Sequence, residues 1–212
     1  SDDAEEKPYG TAGDLTSSDL EFVMDKTSKQ ILGLRFNNIS IPKNALIYNA
    51  YIQFAVDEVT NIDPCKLYIK IEDHLNPSTF TDAIGTISNR KFFKDSILWN
   101  PIAPWTVDGE AGLEQRTPNI ASLIKKTINN SGWNSGNSLV LAFTGEGARV
   151  AQAFDRDPAK APELVIEYIL PVNQSFSILS SSDDAEEKPT GTAGDLTSSD
   201  LEFVMDKTSK QT

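Results

Sequence analysis

The sequence has few of the residues that build covalent cross-links and zinc sites. Its 212 residues include one cysteine, Cys65, and one histidine, His74. A single cysteine excludes a disulfide within the chain, so stability has to come from the core, from bound metal or from neighbouring chains. We expect Cys65 to be half-buried in a strand. A lone histidine excludes a multi-histidine zinc site, and we interpret His74 as a solvated loop residue rather than part of a catalytic relay.

The chain also lacks long apolar runs and an excess of positive charge. No uninterrupted apolar stretch approaches the roughly 20 residues that span a bilayer. The 31 acidic residues outnumber the 19 basic ones, which gives a formal net charge of −12 at pH 7. Nucleic acids and anionic membranes repel such a chain. We therefore expect neither nucleic-acid binding nor membrane insertion, and cations are the favoured partners.

What the sequence does contain is a copy of its own beginning. Residues 1–30 and 182–211 are identical except that Thr190 stands where the first copy has Tyr9. The second copy has none of the strands that would cover its apolar face, and the beginning of a domain cannot bury a core alone. The pattern predicts a repeat domain at residues 1–170, a linker at 171–181 and a duplicated first segment at 182–212. A cloning scar is the alternative interpretation.

Most of the remaining sequence alternates with period two, which is typical of half-buried strands. In residues 19–25, Leu20, Phe22 and Met24 share one face, and acidic residues share the other. Similar segments follow, separated by loops rich in Asn, Asp, Pro and Gly: ALIYNAYIQFAVDE, CKLYIKIEDHL, SLVLAFTG, RVAQAFD and ELVIEYIL. These segments predict an all-β sandwich, and residues 76–115 are expected to wrap its surface as an extended loop with short strands.

One short amphipathic helix is predicted at about residues 118–130, lying across one end of the sandwich. Thr117 is suited to the N-cap position and Pro118 to the first helical position. The apolar residues that repeat on one face are Ile120, Leu123, Ile124 and Ile128. The dipeptide Ser131-Gly132 is expected to end the helix.

Several motifs carry a resemblance to a known family. The run LRFNNISIPKNALIYNAYIQF, together with APELVIEY near the end, resembles DNRLRE-type domains and related jelly-roll carbohydrate-binding modules over roughly residues 1–170. DDAEE, SSDLE, GEAG followed by QRTP, and a D-x-DP stretch are similar to repeats of large secreted bacterial or archaeal surface proteins. The resemblance implies a jelly roll, an extracellular location and a structural calcium near the first strand. It does not imply catalysis.

Clustered carboxylates near both ends of the predicted domain are the candidate metal ligands. The SDDAEE motif places four of them within five residues, and FDRDP adds two more. Calcium accepts several oxygen ligands in irregular geometry, and the first and last strands of a jelly roll lie close together. The predicted ligands are Asp2, Asp3, Glu5, Glu6, Asp155 and Asp157. The alternative is a solvated acidic edge that discourages aggregation; Asp19 and Glu21 are weaker candidates.

The aromatic and acidic residues admit other ligands. Trp99, Trp105 and Trp133 could stack on sugar faces, although a role as buried anchors is the favoured interpretation of each. Candidate acids for glycoside hydrolysis are Asp73, Asp108, Glu110 and Glu114, but nothing in the sequence gives their separation.

Together these patterns predict a non-enzymatic structural repeat of an extracellular fibre or adhesin, supported by calcium. Its partners are expected to be identical repeats or chains, joined through residues 182–212 head to tail or as a tandem array. The alternative is a carbohydrate-binding module of a secreted protein, with surface glycans as ligands. A polysaccharide-active enzyme is a third class, which we do not expect.

Overall fold

The computed structural model describes residues 2–7, 10–180, 182–185, 193–194, 196–197, 199, 205–206 and 209–210. The chain divides into two compact units, Ser1–Pro171 and Val172–Thr212. None of the helices found in these residues has the length and apolar character needed to cross a membrane.

The regular secondary structure in the described residues of the first unit is mainly β-strand, with a single α-helix, α1 (Ala121–Ile128), and a short 3-10 helix at Leu113–Gln115. The strands are β1 (Asp3–Glu6), β2 (Gly13–Asp14), β3 (Asp19–Glu21), β4 (Met24–Asp25), β5 (Ser28–Lys29), β6 (Ile31–Phe36), β7 (Leu46–Gln53), β8 (Val56–Ile71), β9 (Ile97–Trp99), β10 (Leu139–Gln152) and β11 (Glu163–Ile169). The predicted all-β fold with one short helix is confirmed.

The strands form two layers. The large antiparallel sheet has the order β2-β1-β6-β10-β8-β9, and β3 pairs with the far end of β10. The small sheet pairs β11 with β7, and residues 115–120 run along the other side of β7. Helix α1 packs against β7 and β8, one strand from each sheet.

An aromatic cluster occupies the centre of the core between the sheets. Phe22 has no exposed surface, and its ring centroid lies 4.8 Å from that of Phe54 and 5.4 Å from that of Trp105. Trp99 and Phe143 complete the cluster. A second, smaller group of buried side chains lies apart from this core: Ala4, Ile31, Phe80, Ile87, Val140 and Ala142. The segment after β8 thus covers apolar residues of the large sheet, as expected for residues 76–115.

The helix is shorter than the sequence predicts. Thr117 lies outside it because this residue pairs with β7: its backbone N–H donates to the carbonyl of Ile52, and its Oγ1 accepts from the Ile52 N–H, both at 3.0 Å. The Oδ1 atom of Asn119 instead accepts from the backbone N–H of Ala121 at 2.9 Å. The predicted apolar face is buried at every position: Ile120, Leu123, Ile124 and Ile128.

Strand boundaries also differ from the alternation pattern. Residues 139–145 of SLVLAFTG and residues 149–152 of RVAQAFD belong to one continuous strand, β10, which is irregular at Gly145 and Gly147. A Cβ atom at Gly145 would lie 2.1 Å from the carbonyl oxygen of Lys66 on β8, so close packing requires glycine here. Conversely, the predicted strand at residues 19–25 ends at Glu21 because Val23 has a positive φ of 53°.

The second unit contains a small hairpin. In its described residues, β12 (Met205–Asp206) pairs antiparallel with β13 (Ser209–Lys210).

Candidate functional site

The first copy of the duplicated segment is built into the large sheet. Strand β1 pairs with β6 over four residues, and β3 pairs with β10 over three. Phe22, two residues after Leu20 of β3, reaches the centre of the aromatic cluster. Residues 1–30 therefore supply both a paired strand and part of the main core.

A charge network built around the buried side chain of Glu5 lies within this same segment. The Nζ atom of Lys7 lies 3.2 Å from Oε2 of Glu5, 3.1 Å from Oε2 of Glu21 and 3.3 Å from Oδ2 of Asp25. The other oxygen of Glu5 accepts hydrogen bonds from the Glu21 backbone N–H and from Nε2 of Gln30, both at 2.7 Å. Each of these partners of Glu5 lies in residues 1–30.

Burial dominates the titration of the network. It raises the pKa of Glu5 to about 8, with the nearby Glu21 carboxylate adding to the shift and Lys7 opposing it. Burial also raises the pKa of Glu21, although its hydrogen bond with Glu5 and the charge of Lys7 oppose the change. For Lys7, burial disfavours the charged form, but the Glu5 and Glu21 carboxylates outweigh it and raise its pKa.

Glu6 points to the opposite face of β1 and holds a turn. Its Oε1 accepts from the Gly10 N–H at 2.6 Å, and its Oε2 accepts from the N–H groups of Ile87 and Ser88 at 2.9 and 3.0 Å. Burial opposes the negative charge, but a hydrogen bond from the Ser88 side chain, together with the backbone hydrogen bonds from Ser88, Gly10 and Ile87, outweighs it and lowers the pKa of Glu6. Glu6 thus anchors the segment that follows β8 to the large sheet.

Three of the predicted metal ligands come together in a cleft of about 450 Å³, which we call the acidic cleft. Its lining includes Asp2, Asp3, Asp155, Arg35 and the exposed ring of Phe154. Oδ1 of Asp2 lies 2.6 Å from Arg35, and Oδ2 of Asp3 accepts from the Phe154 N–H at 3.1 Å. The acidic cleft therefore joins the beginning of the first unit to the segment after β10.

The other three predicted ligands lie elsewhere. Glu5 and Glu6 take part in the contacts just described, on opposite faces of β1. Asp157 closes a turn by accepting from the Ala159 N–H at 3.1 Å. Among the described residues, these six carboxylates do not form a group of three with ligand oxygens within 4.8 Å of one another. The structure thus separates the predicted set into different surroundings.

One group that meets this distance was not predicted. Asp19, Asp57 and Glu58 each place a carboxylate oxygen within 4.8 Å of the other two. Arg156 contacts the buried Oδ1 of Asp57 at 2.5 Å. The sequence singled out Asp19 as a weak candidate, but adjacent residues such as Asp57 and Glu58 ordinarily point to opposite faces of a strand.

The remaining candidates have structural surroundings. All three tryptophans are buried: Trp105 donates from Nε1 to the Glu114 carbonyl at 3.2 Å, and Trp133 donates to the Ile41 carbonyl at 3.0 Å. They anchor loops and core and present no face to a sugar. His74 is an exposed loop residue, as predicted. Cys65 is more buried than predicted, with 4% of its surface exposed.

No protein-family model matches the sequence, and no curated protein matches it significantly. The resemblance to DNRLRE-type domains therefore stays a prediction.

Proposed function

We propose that this chain is a non-enzymatic structural module of an extracellular fibre or adhesin, which joins identical repeats or chains through residues 182–212. The observation that carries the proposal is the position of the first copy of the duplicated segment. A sequence that forms a sheet strand and part of the core in the first unit is present twice in one chain. A fold that accepts residues 1–30 can accept the nearly identical residues 182–211.

The apolar contribution of the segment supports this interpretation. Its buried apolar residues are Ala4, Leu20, Phe22 and Val23. Full burial stabilises a large apolar side chain by roughly 1.5–3 kcal/mol, so a first unit without this segment exposes a core that a second copy can cover.

The second unit repeats one local structure of the first. Strands β4 and β5 pair Met24 with Lys29, and β12 and β13 pair Met205 with Lys210. The two hairpins have the same register at positions 181 residues apart. The duplicated sequence therefore has the same local preference in both places, which is what a transferable segment requires.

Two arrangements follow from the proposal. In a longer array, residues 182–211 begin the next repeat, and the fibre is covalent. Between separate chains, the segment inserts into a neighbour as a donated strand, a heterologous contact that propagates head to tail. Both arrangements produce an extended polymer from one unit.

The test is a chain that begins at Gln30 and retains the second copy. We expect it to form folded, elongated assemblies, measured by light scattering, circular dichroism and electron microscopy. The matched control carries Phe203→Asp, since Phe203 is the counterpart of the buried Phe22, and it should neither fold nor assemble. If the chain beginning at Gln30 stays unfolded, also when a separate peptide of residues 182–211 is added, strand donation is wrong.

The acidic cleft favours a second candidate function, carbohydrate binding. It combines the carboxylates of Asp2, Asp3 and Asp155 with the ring of Phe154, which is 57% exposed. Aromatic faces and carboxylates are groups that bind sugars. A glycan array with calcium present tests this function: Phe154→Ala should abolish any signal, and Phe176→Ala, an exposed phenylalanine of the second unit, should not. The absence of sugar-dependent binding would leave the structural role alone.

A further inference from the structure

We propose that the chain binds a calcium ion at an irregularity of the large sheet, through Asp19, Asp57, Glu58 and the side-chain oxygen of Gln152. This site, which we call the bulge site, is distinct from the acidic cleft and does not depend on the proposed assembly. It brings together β3, β8 and β10.

A β-bulge explains how Asp57 and Glu58 converge. Val150 of β10 pairs with Glu58, and the next residue, Ala151, pairs with Val56. Asp57 is therefore the extra residue on β8, opposite no partner of its own. A bulge interrupts the strict alternation of side chains along a strand, so two consecutive carboxylates can approach the same point. Their ligand oxygens and that of Asp19 lie within 4.8 Å of one another.

These distances suit one calcium ion. Calcium binds oxygen at about 2.3–2.6 Å, so oxygens on opposite sides of the ion lie about 5 Å apart. The ion tolerates irregular geometry and completes its shell with water, whereas magnesium requires a near-octahedral arrangement. The proposed ligands are carboxylate and amide oxygens, which are hard ligands that favour calcium over soft metals.

Gln152 is the independent observation that points to a ligand. It pairs directly with Asp19 across β3 and β10, so both side chains leave the sheet on the same face. Only 2% of Gln152 is exposed, and its Nε2 donates to the Val56 carbonyl, next to Asp57, at 3.2 Å. Its Oε1 is buried and has no hydrogen-bond partner. A buried acceptor without a partner costs about 1–3 kcal/mol, and a bound cation removes that cost.

Neighbouring hydrogen bonds leave carboxylate oxygens for an ion. Oδ1 of Asp19 accepts from Oγ of Ser17 at 2.9 Å, and Oε2 of Glu58 accepts from Oγ1 of Thr60 at 3.2 Å. Each carboxylate has a second oxygen that can face the ion, and each hydroxyl helps to fix the orientation of its partner.

The charge of the group matches a divalent cation. The three carboxylates carry three negative charges, and the contact between Arg156 and Asp57 balances one of them. The protein thus compensates only part of this negative charge, although Asp57 is only 6% exposed.

The test measures calcium binding to the full chain after removal of divalent ions with chelator. Isothermal titration with calcium chloride should give saturable binding, and thermal unfolding should shift to higher temperature with calcium. Asp19→Asn and Glu58→Gln should each weaken binding by about tenfold or more, because ligand charge sets calcium affinity. Asp57 is kept because its ion pair with Arg156 contributes to the fold.

Asp155→Asn is the matched control, since it removes one carboxylate from the acidic cleft and leaves the bulge site intact. It should bind calcium as the wild type does, and circular dichroism should show the same fold in all variants. The proposal is overturned if the wild type shows no saturable binding. It is also overturned if Asp19→Asn and Glu58→Gln bind calcium normally, or if Asp155→Asn is the variant that loses binding.

Discussion

The Nζ atom of Lys7 lies 3.2 Å from Oε2 of Glu5, a carboxyl group whose side chain has no exposed surface. Even beside this cation, burial raises the pKa of Glu5 from 4.5 to about 8. A carboxyl group with a higher pKa in the folded chain binds its proton more tightly there. Its contribution to stability is present below the pKa of the group in the unfolded chain and is lost as the pH rises through its pKa in the folded chain.

We therefore expect the free energy of unfolding to fall as the pH rises from about 4.5 to about 8, the window set by Glu5. Urea unfolding at intervals across this range measures the effect. Glu5→Gln should reduce the slope because it removes one of the groups whose pKa is raised by folding, whereas Glu146→Gln, at an exposed position of β10, should keep the wild-type slope. A wild-type chain equally stable at pH 5 and pH 8 would contradict the prediction.

Phe22 and its counterpart Phe203 allow the two copies of the segment to be compared by one substitution. Phe22→Ala should lower the free energy of unfolding of the first unit by about 3–5 kcal/mol, because it leaves a cavity in the aromatic cluster. Phe203→Ala should leave that unfolding transition unchanged in a dilute sample of the full chain. Denaturant unfolding followed by tryptophan fluorescence is suitable, since Trp99 and Trp105 lie beside Phe22. Equal effects of the two substitutions would mean that both copies contribute to the first unit.

The helix contributes to the same core through its buried face. Leu123→Ala should destabilise the first unit by about 2–5 kcal/mol, the usual effect of truncating a buried leucine. Ser122→Ala is the control on the exposed face and should change stability by no more than about 0.5 kcal/mol. A neutral result for Leu123→Ala in urea unfolding would show that α1 does not pack as described.

Cys65 should be unreactive in the native protein. It is 4% exposed, and burial raises its pKa to about 11, with Arg149 opposing the shift and Asp63 adding to it. Because the thiolate is the reactive form, a thiol reagent at pH 8 should modify the thiol only after denaturation. Rapid modification of the native chain would indicate that β8 opens locally.

The sequence was sufficient to predict the fold class and the presence of the helix. It was not sufficient to predict the residues at which the helix and the strands begin and end. The period-two pattern and the apolar repeat at Leu123 and Ile124 are local features, and the structure confirms both. The start of the helix was wrong because Thr117 pairs with Ile52, 65 residues away, and this tertiary contact outweighs its preference for the N-cap position. Local preference cannot anticipate such a competitor.

The candidate sites were predictable only as clusters of charge. The partners of Glu6 include Ile87, 81 residues along the chain, so no local spacing indicates that its oxygens hold a turn. The approach of Asp57 to Glu58 depends on one extra residue in the register between β8 and β10. A pattern of alternating residues contains no information about such a shift, whereas the family resemblance pointed towards the first strand.

The arrangement of charges on β1 has a consequence for exchange between chains. On one face, Glu5 contacts Lys7, Glu21 and Gln30, which all belong to residues 1–30. A transferred copy of the segment therefore carries the partners of its buried carboxyl group with it. On the other face, Glu6 reaches the N–H groups of Ile87 and Ser88 in the rest of the unit. A recipient then has to supply the backbone N–H groups of Ile87 and Ser88, the Ser88 side chain and, for Asp2, the guanidinium of Arg35. Under the proposed function, such a segment can transfer between chains. Repeats that differ in their surface residues should therefore be able to assemble into the same fibre.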